Sequence, residues 1–381
     1  MNAMTGSIRL GRVFGIDIRA HWSLLVVAGL ILFGLADDVL PTLDPGRATF
    51  AYWIAGGGIV ALFYTCLLAH ELAHSLLAKR RGIEVRRITL WLLGGVSELG
   101  STSHSATEEL AVAVAGPATS FALGLIFAAV ALLSSSVDGF GLLTASLGWL
   151  AVINIVLAVF NLLPAFPLDG GRVLRAAMWL WYDDEAVATR KAGGVSAAVA
   201  YGLIASGLLL LLAGAGLSGL WFAVLGWFVL GAARAESQQI RLNESLEGLT
   251  AGQLMSSDPV TVPPELTIAE LVDRFVLGHR FSAYPVVDPA GRPLGLVTLD
   301  SIRQIPPSHR AQATVGQAMC PIGQVPLADP GQPAVDLLGP MTASVPGRAI
   351  VLRDGRVAGI LSLSDIARAV EAHNLLDSFR T

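Results

Sequence analysis

The chain has 381 residues, of which 54% are hydrophobic and 14% are charged, and its mean hydropathy is +0.64. An ordinary soluble domain has roughly 45–50% apolar and 25% charged residues, so these figures argue against a single water-soluble globule. The net charge of −4 provides no basic excess for nucleic acid, and the two distant cysteines, Cys66 and Cys320, argue against a disulfide framework or a cysteine-based metal site.

Stretches without Asp, Glu, Lys or Arg locate the membrane spans. The uncharged runs are 20–36, 48–69, 110–133, 142–168 and 192–233. All but the first reach the roughly 20 residues that cross hydrocarbon. The last run is too long for one span and is interrupted by glycines, so it predicts two helices, about 195–213 and 220–233. The sequence therefore predicts a polytopic α-helical membrane protein with six transmembrane helices.

Lysines and arginines are distributed unequally between the two sides of these spans. One side, formed by segments 1–21, 79–107, 164–194 and the exit at Arg234, carries thirteen, whereas the opposite side carries only Arg47. The positive-inside rule places both termini in the cytoplasm and the chain in the cytoplasmic membrane. A cleaved signal peptide remains an alternative for the first span, because arginines precede its short apolar core.

The composition changes after Arg234, and from residue 237 onward the chain reads as two similar soluble halves of mixed strand and helix. The predicted strands are 283–288, 294–299, 349–352 and 357–361. Gly291 marks the turn of the first pair, and Asp354-Gly355 is a two-residue hairpin signal for the second. A helix follows each half, and Ser364 is the predicted N-cap of the second helix, 365–372.

The strongest chemical signal is the sequence His70-Glu71-Leu72-Ala73-His74. Two histidines at i and i+4 share one helical face, so both can bind one Zn²⁺, and the adjacent Glu71 can take a proton from the attacking water. This composition gives a chance expectation of roughly 0.004 for the motif. A carboxylate inside a span is costly and is itself a sign of function. The alternative is a helix end that dips into polar headgroups.

A catalytic tetrahedral zinc site has three protein ligands, so a third is required. Asp169 meets this need at membrane depth, at the end of the uncharged run 142–168. Pro164, Pro167 and the glycines after Asp169 interrupt the helix there, and irregular backbone is tolerated in a membrane only where it is buried in protein or lines a cavity. The alternative is a proline-kinked helix end with a solvated aspartate.

These motifs resemble the site-2 protease family of intramembrane zinc metalloproteases. The resemblance includes HELAH in one span and N-x-x-P-x-x-P-L-D-G-G, from Asn161 to Gly171, in a later one. It extends from residue 8 to about 235. Further matching segments are Gly15–Ile18 with His21-Trp22, Leu93–Val96, and Ala115-Gly116-Pro117.

The resemblance implies a zinc endopeptidase domain over 1–236 with one zinc ion per chain, ligated by His70, His74 and Asp169. Glu71 would be the general base, and Asn161 would hold substrate or stabilise the oxyanion. From the residues alone, Asn161 is as well explained by an interhelical hydrogen bond. The implied substrates are single-span membrane proteins, such as anti-sigma factors or pro-forms of transcription factors, cleaved in regulated intramembrane proteolysis.

Residues 88–100 are too short to span and carry β-favouring residues around a glycine pair, so they predict a re-entrant β-hairpin. In the family such an element offers an edge strand to the substrate. This fits the physics, since a substrate helix must be unwound before its peptide bonds are accessible, and strand addition can hold it. The alternative is an ordinary interfacial loop.

The soluble halves resemble a pair of cystathionine-β-synthase-type (CBS) domains with an α+β fold, over 249–306 and 310–373. In nucleotide-binding members a Thr/Ser-x-x-Asp places the hydroxyl near phosphate and the carboxylate on the ribose, and Ser362 and Asp365 match that spacing. The first repeat departs from it with Ser301 in place of the aspartate. The pair is therefore predicted either to bind an adenine nucleotide or only to form a homodimer or dock on the protease.

The alternative function is that of a membrane transporter or channel, because CBS pairs also form the C-terminal part of chloride channels and magnesium transporters. A transporter needs polar residues distributed along a path. In this chain the acidic residues and histidines of the spans converge instead at His70, Glu71, His74 and Asp169. A catalytically inactive scaffold is disfavoured because no ligand and no base is missing. A membrane zinc metalloendopeptidase is therefore the favoured interpretation.

Overall fold

A computed structural model describes residues 7–91, 94–99, 105–137, 139–246, 248–278, 281–344 and 346–378. The chain divides after Gln238 into two compact units, which are described separately. The first unit is largely helical, and the second is a mixture of short helices and strands.

Most helices of the first unit are long and apolar. Its helices are α1 (Ser23–Gly34), the short α2 (Leu40–Leu43), α3 (Thr49–Arg80), α4 (Ala106–Ser134), α5 (Gly141–Asn161), α6 (Asp169–Tyr182), α7 (Glu185–Leu212) and α8 (Gly216–Leu246), whose last residues follow Gln238. Within the described residues, six continuous helical segments are long and apolar enough to cross a membrane, which confirms the predicted spans. The last uncharged run is divided at Gly214, whose φ of +82° suits glycine.

The first span is longer than its uncharged run. A π-helical turn, Leu35–Val39, joins α1 to α2, so the helix continues to Leu43. Asp37 and Asp38 lie in this turn with their side chains exposed. An uncharged run ends at its first charge, whereas a helix continues as long as its charged side chains stay outside the packed core.

A four-stranded sheet packs beside these helices. Its strands are β1 (Ser7–Val13), β2 (Ile16–His21), β3 (Val85–Trp91) and β4 (Gly94–Leu99), in that order. β1–β2 and β3–β4 are antiparallel hairpins, and β2 pairs with β3 in parallel. One face of the sheet, including Ile18 and Ile88, packs on Leu67 of α3 and Val112 of α4. The sheet is thereby held against the helices that carry the motifs.

The predicted hairpin over 88–100 is present as β3 and β4, with β4 at the edge of the sheet. Leu92, Leu93 and Gly100, which belong to that prediction, lie outside the described residues. Re-entry of the hairpin into the bilayer stays a prediction.

The backbone leaves the helical conformation between Asn161 and Asp169, as the prolines predict. The N–H of Phe166 in this segment donates to Ser196 Oγ of α7 at 3.0 Å. Gly171 lies so close to the segment that an added Cβ would be 2.7 Å from the carbonyl carbon of Ala165. Ala165 and Phe166 at the centre of the segment are therefore buried in protein, whereas Leu162, Pro164 and Pro167 are exposed. The segment leads directly into Asp169, the first residue of α6.

The second unit has two small sheets and short helices. The elements are α9 (Ala251–Leu254), β5 (Ser256–Ser257), α10 (Ile268–Leu271), β6 (Ala283–Val287), β7 (Pro293–Thr298), α11 (Leu299–Arg303), α12 (Val315–Ala318), β8 (Cys320–Pro321), β9 (Leu327–Ala328), α13 (Val335–Ala343), β10 (Arg348–Arg353), β11 (Arg356–Ser362) and α14 (Leu363–Ser378). The strands predicted around Gly291 and Asp354-Gly355 are confirmed. Asp354 and Gly355 have φ of 54° and 76°, as a type I′ turn requires.

The two repeats exchange strands. β5 from the first repeat pairs with β11, whereas β8 from the second pairs with β7. The hydrophobic cores follow the same exchange. Ala251 of the first repeat packs in the core beneath β10 and β11, and Val315 of the second repeat packs in the core beneath β6 and β7. The repeats therefore fold as a pair, while the limits 249–306 and 310–373 stay predictions.

One helix start differs from the prediction. Ser362, not Ser364, caps α14, because its Oγ accepts from the N–H of Asp365 at 3.2 Å. Ser364 lies inside the first turn. The prediction was wrong because β11 runs directly into α14, so the last strand residue is also the cap, and the sequence has no intervening loop to show this.

Candidate metal and catalytic site

His70 and His74 lie one turn apart on α3, on the face that packs against α4. His70 is 2% exposed. The two rings meet edge to face with centroids 4.9 Å apart, and their Nε2 atoms are separated by 3.2 Å. The i, i+4 spacing thus brings both nitrogens to one point, as the sequence predicts.

Asp169 reaches the same point from the start of α6. Its Oδ2 lies 3.2 Å from Nε2 of His70 and 3.2 Å from Nε2 of His74. The three ligand atoms form a nearly equilateral triangle. Among the residues that the structure describes, these three form the group of His, Cys, Asp and Glu side chains suited to hold a metal ion.

Hydrogen bonds on the far side of each ring orient the histidines. Nδ1 of His74 lies 2.6 Å from the carbonyl oxygen of Val112, which can only accept, so Nδ1 carries the proton and Nε2 presents a lone pair. Nδ1 of His70 lies 2.9 Å from Oγ of the buried Ser120, which can accept in the same way. Such outer partners fix the tautomer of metal-binding histidines.

The donor set fits zinc. Zn²⁺ with ligand bonds of about 2.0–2.1 Å in a tetrahedron places neighbouring ligand atoms about 3.3–3.4 Å apart, close to the 3.2 Å edges of the triangle. Two imidazole lone pairs and a carboxylate repel one another at this distance, and a cation converts the repulsion to attraction. Nitrogen and oxygen ligands in a tetrahedral set are those that zinc prefers.

Two glycines make room for the site. A Cβ on Gly116 of α4 would lie 2.6 Å from Nε2 of His70 and would also overlap Nε2 of His74. A Cβ on Gly95 of β4 would overlap the side chain of Glu71, 2.7 Å from Oε1. Gly116 therefore lets α4 approach the ligand atoms, and Gly95 lets the edge strand lie against Glu71.

Asn161 is the last residue of α5, and its Nδ2 donates to the carbonyl oxygen of Leu157 in the same helix at 2.9 Å. This bond is within the helix, so it is not the interhelical bond considered from the sequence. Its predicted role toward substrate stays a prediction.

Ser362 and Asp365 face each other across the first turn of α14. The N–H and Oγ of Ser362 donate to Oδ2 of Asp365 at 3.0 and 2.6 Å. In the first repeat, Thr298 and Ser301 make the corresponding reciprocal cap. Thr298 with Ser301, and Ser362 with Asp365, therefore cap the helices that follow the last strand of each repeat. Of these two residue pairs, only Ser362 with Asp365 contains a carboxylate.

Motif reasoning missed the contribution of α4. Val112, Gly116 and Ser120 lie on one face of this helix, and each contacts a histidine ring or leaves space for one. Ala115-Gly116-Pro117 was a visible signal, since a glycine inside a membrane helix indicates close approach of another group. The carbonyl of Val112 had no signal, because any residue type supplies a carbonyl.

Comparison with known proteins identifies relatives of this chain. The model of peptidase family M50 matches residues 58–141 and 137–206, and the CBS domain model matches 251–307. A Mycobacterium tuberculosis protein named as a zinc metalloprotease, Rip3, is 39% identical over 98% of this chain and 95% of its own length. A Synechocystis protein named as a zinc metalloprotease, sll0528, is 30% identical over 97% of this chain and 96% of its own.

Among solved structures, the site-2 protease of Methanocaldococcus jannaschii is 28% identical, covers 61% of this chain and 95% of its own, and has a TM-score of 0.42. The rival interpretation as a transporter is set aside, because a relative that is 39% identical over nearly the whole chain is named as a protease. The chain therefore belongs to peptidase family M50, and it is an intramembrane zinc metalloprotease of the site-2 protease family with a CBS domain pair.

Proposed function

We propose that this protease cleaves single-span membrane proteins inside the bilayer, with His70, His74 and Asp169 as its zinc ligands. One observation carries the proposal: Nε2 of each histidine and Oδ2 of Asp169 lie 3.2 Å from one another, amid helices suited to cross a membrane. Membrane-tethered regulators, such as anti-sigma factors and pro-forms of transcription factors, are the proposed substrates.

His70, His74 and Asp169 would hold the zinc ion, which would supply Lewis-acid chemistry to the scissile carbonyl and the attacking water. In this proposal Glu71 takes the proton from that water and returns it to the leaving amine. The Val112 carbonyl keeps His74 in the tautomer that leaves Nε2 free for the metal. Gly95 allows β4 to lie against Glu71, so a substrate strand added to the edge of β4 would pass beside the base.

Substrate class is tested with purified full chain in proteoliposomes. A transmembrane helix hides its peptide bonds, so a substrate with an Asn-Pro pair within its span is expected to be cleaved at least about tenfold faster than one with Leu-Leu there, since proline weakens a helix by about 3 kcal/mol. Cleavage sites are read by mass spectrometry. Equal rates, or equal cleavage of a water-soluble polypeptide that carries the same residues next to the cleavage site, contradict intramembrane proteolysis.

The thirteen-to-one distribution of Lys and Arg supports a cytoplasmic location for both termini and for the CBS pair. In a chain carrying Cys66→Ala and Cys320→Ser, a cysteine placed at the exposed Ser135 is expected to react with an impermeant maleimide on intact cells. A cysteine at the exposed Ser257 is expected to react only after permeabilisation. The reverse pattern contradicts this topology.

The same proposal includes regulation by an adenine nucleotide bound through Ser362 and Asp365. A ribose hydroxyl would share the Asp365 carboxylate, whose Oδ2 accepts from Ser362. A nucleotide can alter proteolysis only through its different affinity for two states of the enzyme, typically about 1–3 kcal/mol.

Calorimetry of the full chain with ATP, ADP and AMP tests this. Heat at millimolar nucleotide is expected, with loss of binding in Asp365→Ala. Glu270→Ala is the matched control, because Glu270 makes the same reciprocal cap with Thr267, a bond that also holds the pKa of the Glu270 carboxyl below its ordinary value. Absence of heat at millimolar nucleotide would leave the pair a dimerisation or docking element, and binding unchanged by Asp365→Ala would contradict a site at Ser362 and Asp365.

A further inference from the structure

A buried ion pair joins α4 to α6. Nε of Arg175 donates to Oε1 of Glu109 at 2.8 Å, and Nη2 of Arg175 donates to the same oxygen. The Glu109 side chain is 5% exposed and that of Arg175 is 18% exposed. A carboxylate removed from water needs a cation beside it. Two N–H groups of one guanidinium that donate to the same oxygen also restrict the orientation of both side chains.

Both partners belong to the helices that build the zinc site. Glu109 lies on the same face of α4 as Val112, Gly116 and Ser120, which approach the two histidines. Arg175 follows Asp169 on α6 by about 9 Å, at 1.5 Å per residue. The ion pair therefore connects the helix that orients both histidines to the helix that begins with the third ligand.

We propose that the Glu109–Arg175 pair positions Asp169 against His70 and His74. This inference rests on the proposed zinc ligands and adds two residues that do not touch the metal. α6 needs such a fixture, because Asp169 follows an irregular segment and the residue before it, Leu168, provides no side-chain cap. α4 then serves as one frame for all three ligands: through Ser120, through the Val112 carbonyl and through Glu109.

A simpler role for the pair is to neutralise a buried charge. Glu185 at the start of α7 also interacts electrostatically with both partners, attracted by Arg175 and repelled by Glu109. Removal of Arg175 therefore leaves two carboxylates that repel each other, whereas removal of the Glu109 charge leaves Arg175 beside Glu185. Arg175→Gln is expected to destabilise the fold more than Glu109→Gln, so neither single variant alone separates the two roles.

The double variant Glu109→Gln/Arg175→Gln separates them, since it removes both charges together. Zinc affinity of the purified full chain is measured by chelator competition, folding by thermal unfolding, and ligand geometry by the visible spectrum of the Co²⁺ form. Positioning predicts a folded chain that binds zinc about tenfold or more weakly, as for lost outer partners of metal ligands, with an altered Co²⁺ spectrum. Charge neutralisation alone predicts wild-type affinity and spectrum, which would overturn the proposal.

Arg175→Lys provides an independent measurement if the double variant does not fold. It keeps the charge but lacks the two-point contact, so positioning predicts weaker zinc binding and an altered spectrum, and an unchanged site again overturns the proposal. Glu108→Gln, in the same turn of α4, is the control and is expected to retain zinc. Asp169→Ala tests the ligand assignment separately from the role of the ion pair. If this variant retains full zinc affinity, Asp169 is not a ligand, and the proposed function fails independently of the Glu109–Arg175 pair.

Discussion

Glu71→Gln is expected to abolish proteolysis while the chain keeps its zinc. Glu71 lies between the two histidines in sequence, but the three-ligand geometry that zinc requires is met without it, by His70, His74 and Asp169. Glutamine has nearly the same shape and cannot take a proton, so the loss reports general-base catalysis, which contributes typically about 10²–10⁴-fold. The measurements are cleavage rate on a reconstituted single-span substrate and metal content per chain by mass spectrometry.

His70→Ala and His74→Ala provide the contrast, since each removes a ligand and is expected to lower bound zinc well below one per chain. Gly95→Ala changes the position of Glu71 without changing its chemistry, because the added Cβ would overlap the Glu71 side chain. Activity is therefore expected to fall while zinc is retained. Continued cleavage by Glu71→Gln would show that another group is the base. Zinc loss in the same variant would instead make Glu71 a ligand.

Gly116→Ala is expected to remove zinc through a single added methyl group. The new Cβ would overlap Nε2 of His74 and lie 2.6 Å from Nε2 of His70, so both nitrogens would have to move from the point where they meet Asp169. In an open helical position the same change stabilises by about 1 kcal/mol, so the expected loss is opposite to intrinsic helix propensity. Metal content and cleavage rate are both expected to fall by at least about tenfold.

Two further glycines serve as controls for this variant. Gly124 lies on the same helix as Gly116 and also lacks space for a side chain, because an added Cβ would be 2.7 Å from the Ile155 side chain on α5. Gly124→Ala is expected to lower thermal stability and to retain zinc, because the atoms nearest to its Cβ belong to α5. Gly148→Ala points into open space and is expected to change neither. Full zinc occupancy in Gly116→Ala would contradict the ligand geometry.

Local sequence pattern was sufficient to predict the spans and the pairing of two of the proposed zinc ligands. Span length follows from the thickness of hydrocarbon, and the pairing of His70 with His74 follows from the helical repeat, so both are readable over a few turns of sequence. The Asp354-Gly355 turn is local in the same way, since both residues must adopt positive φ. The break before Asp169 was readable because proline cannot continue a helix.

Tertiary structure decided what depends on distant segments. The parallel pairing of β2 with β3 brings together strands separated by long helices, and the exchange of β5 and β8 between the CBS repeats places each in the partner sheet. Sequence similarity between the repeats gives no sign of this exchange, because an extended two-residue segment can pair with either sheet.

The site itself shows the same division. His70, His74 and Asp169 were predicted as chemical types, but their 3.2 Å separations arise only when α6 packs on α4 and α4 on α3. The tautomer of His74 depends on a backbone carbonyl, that of Val112, which has no residue-specific signal. Sequence therefore determined which groups could bind the metal. Packing determined where their lone pairs meet, because the relative placement of the helices depends on contacts between distant segments and any residue type can supply a backbone carbonyl.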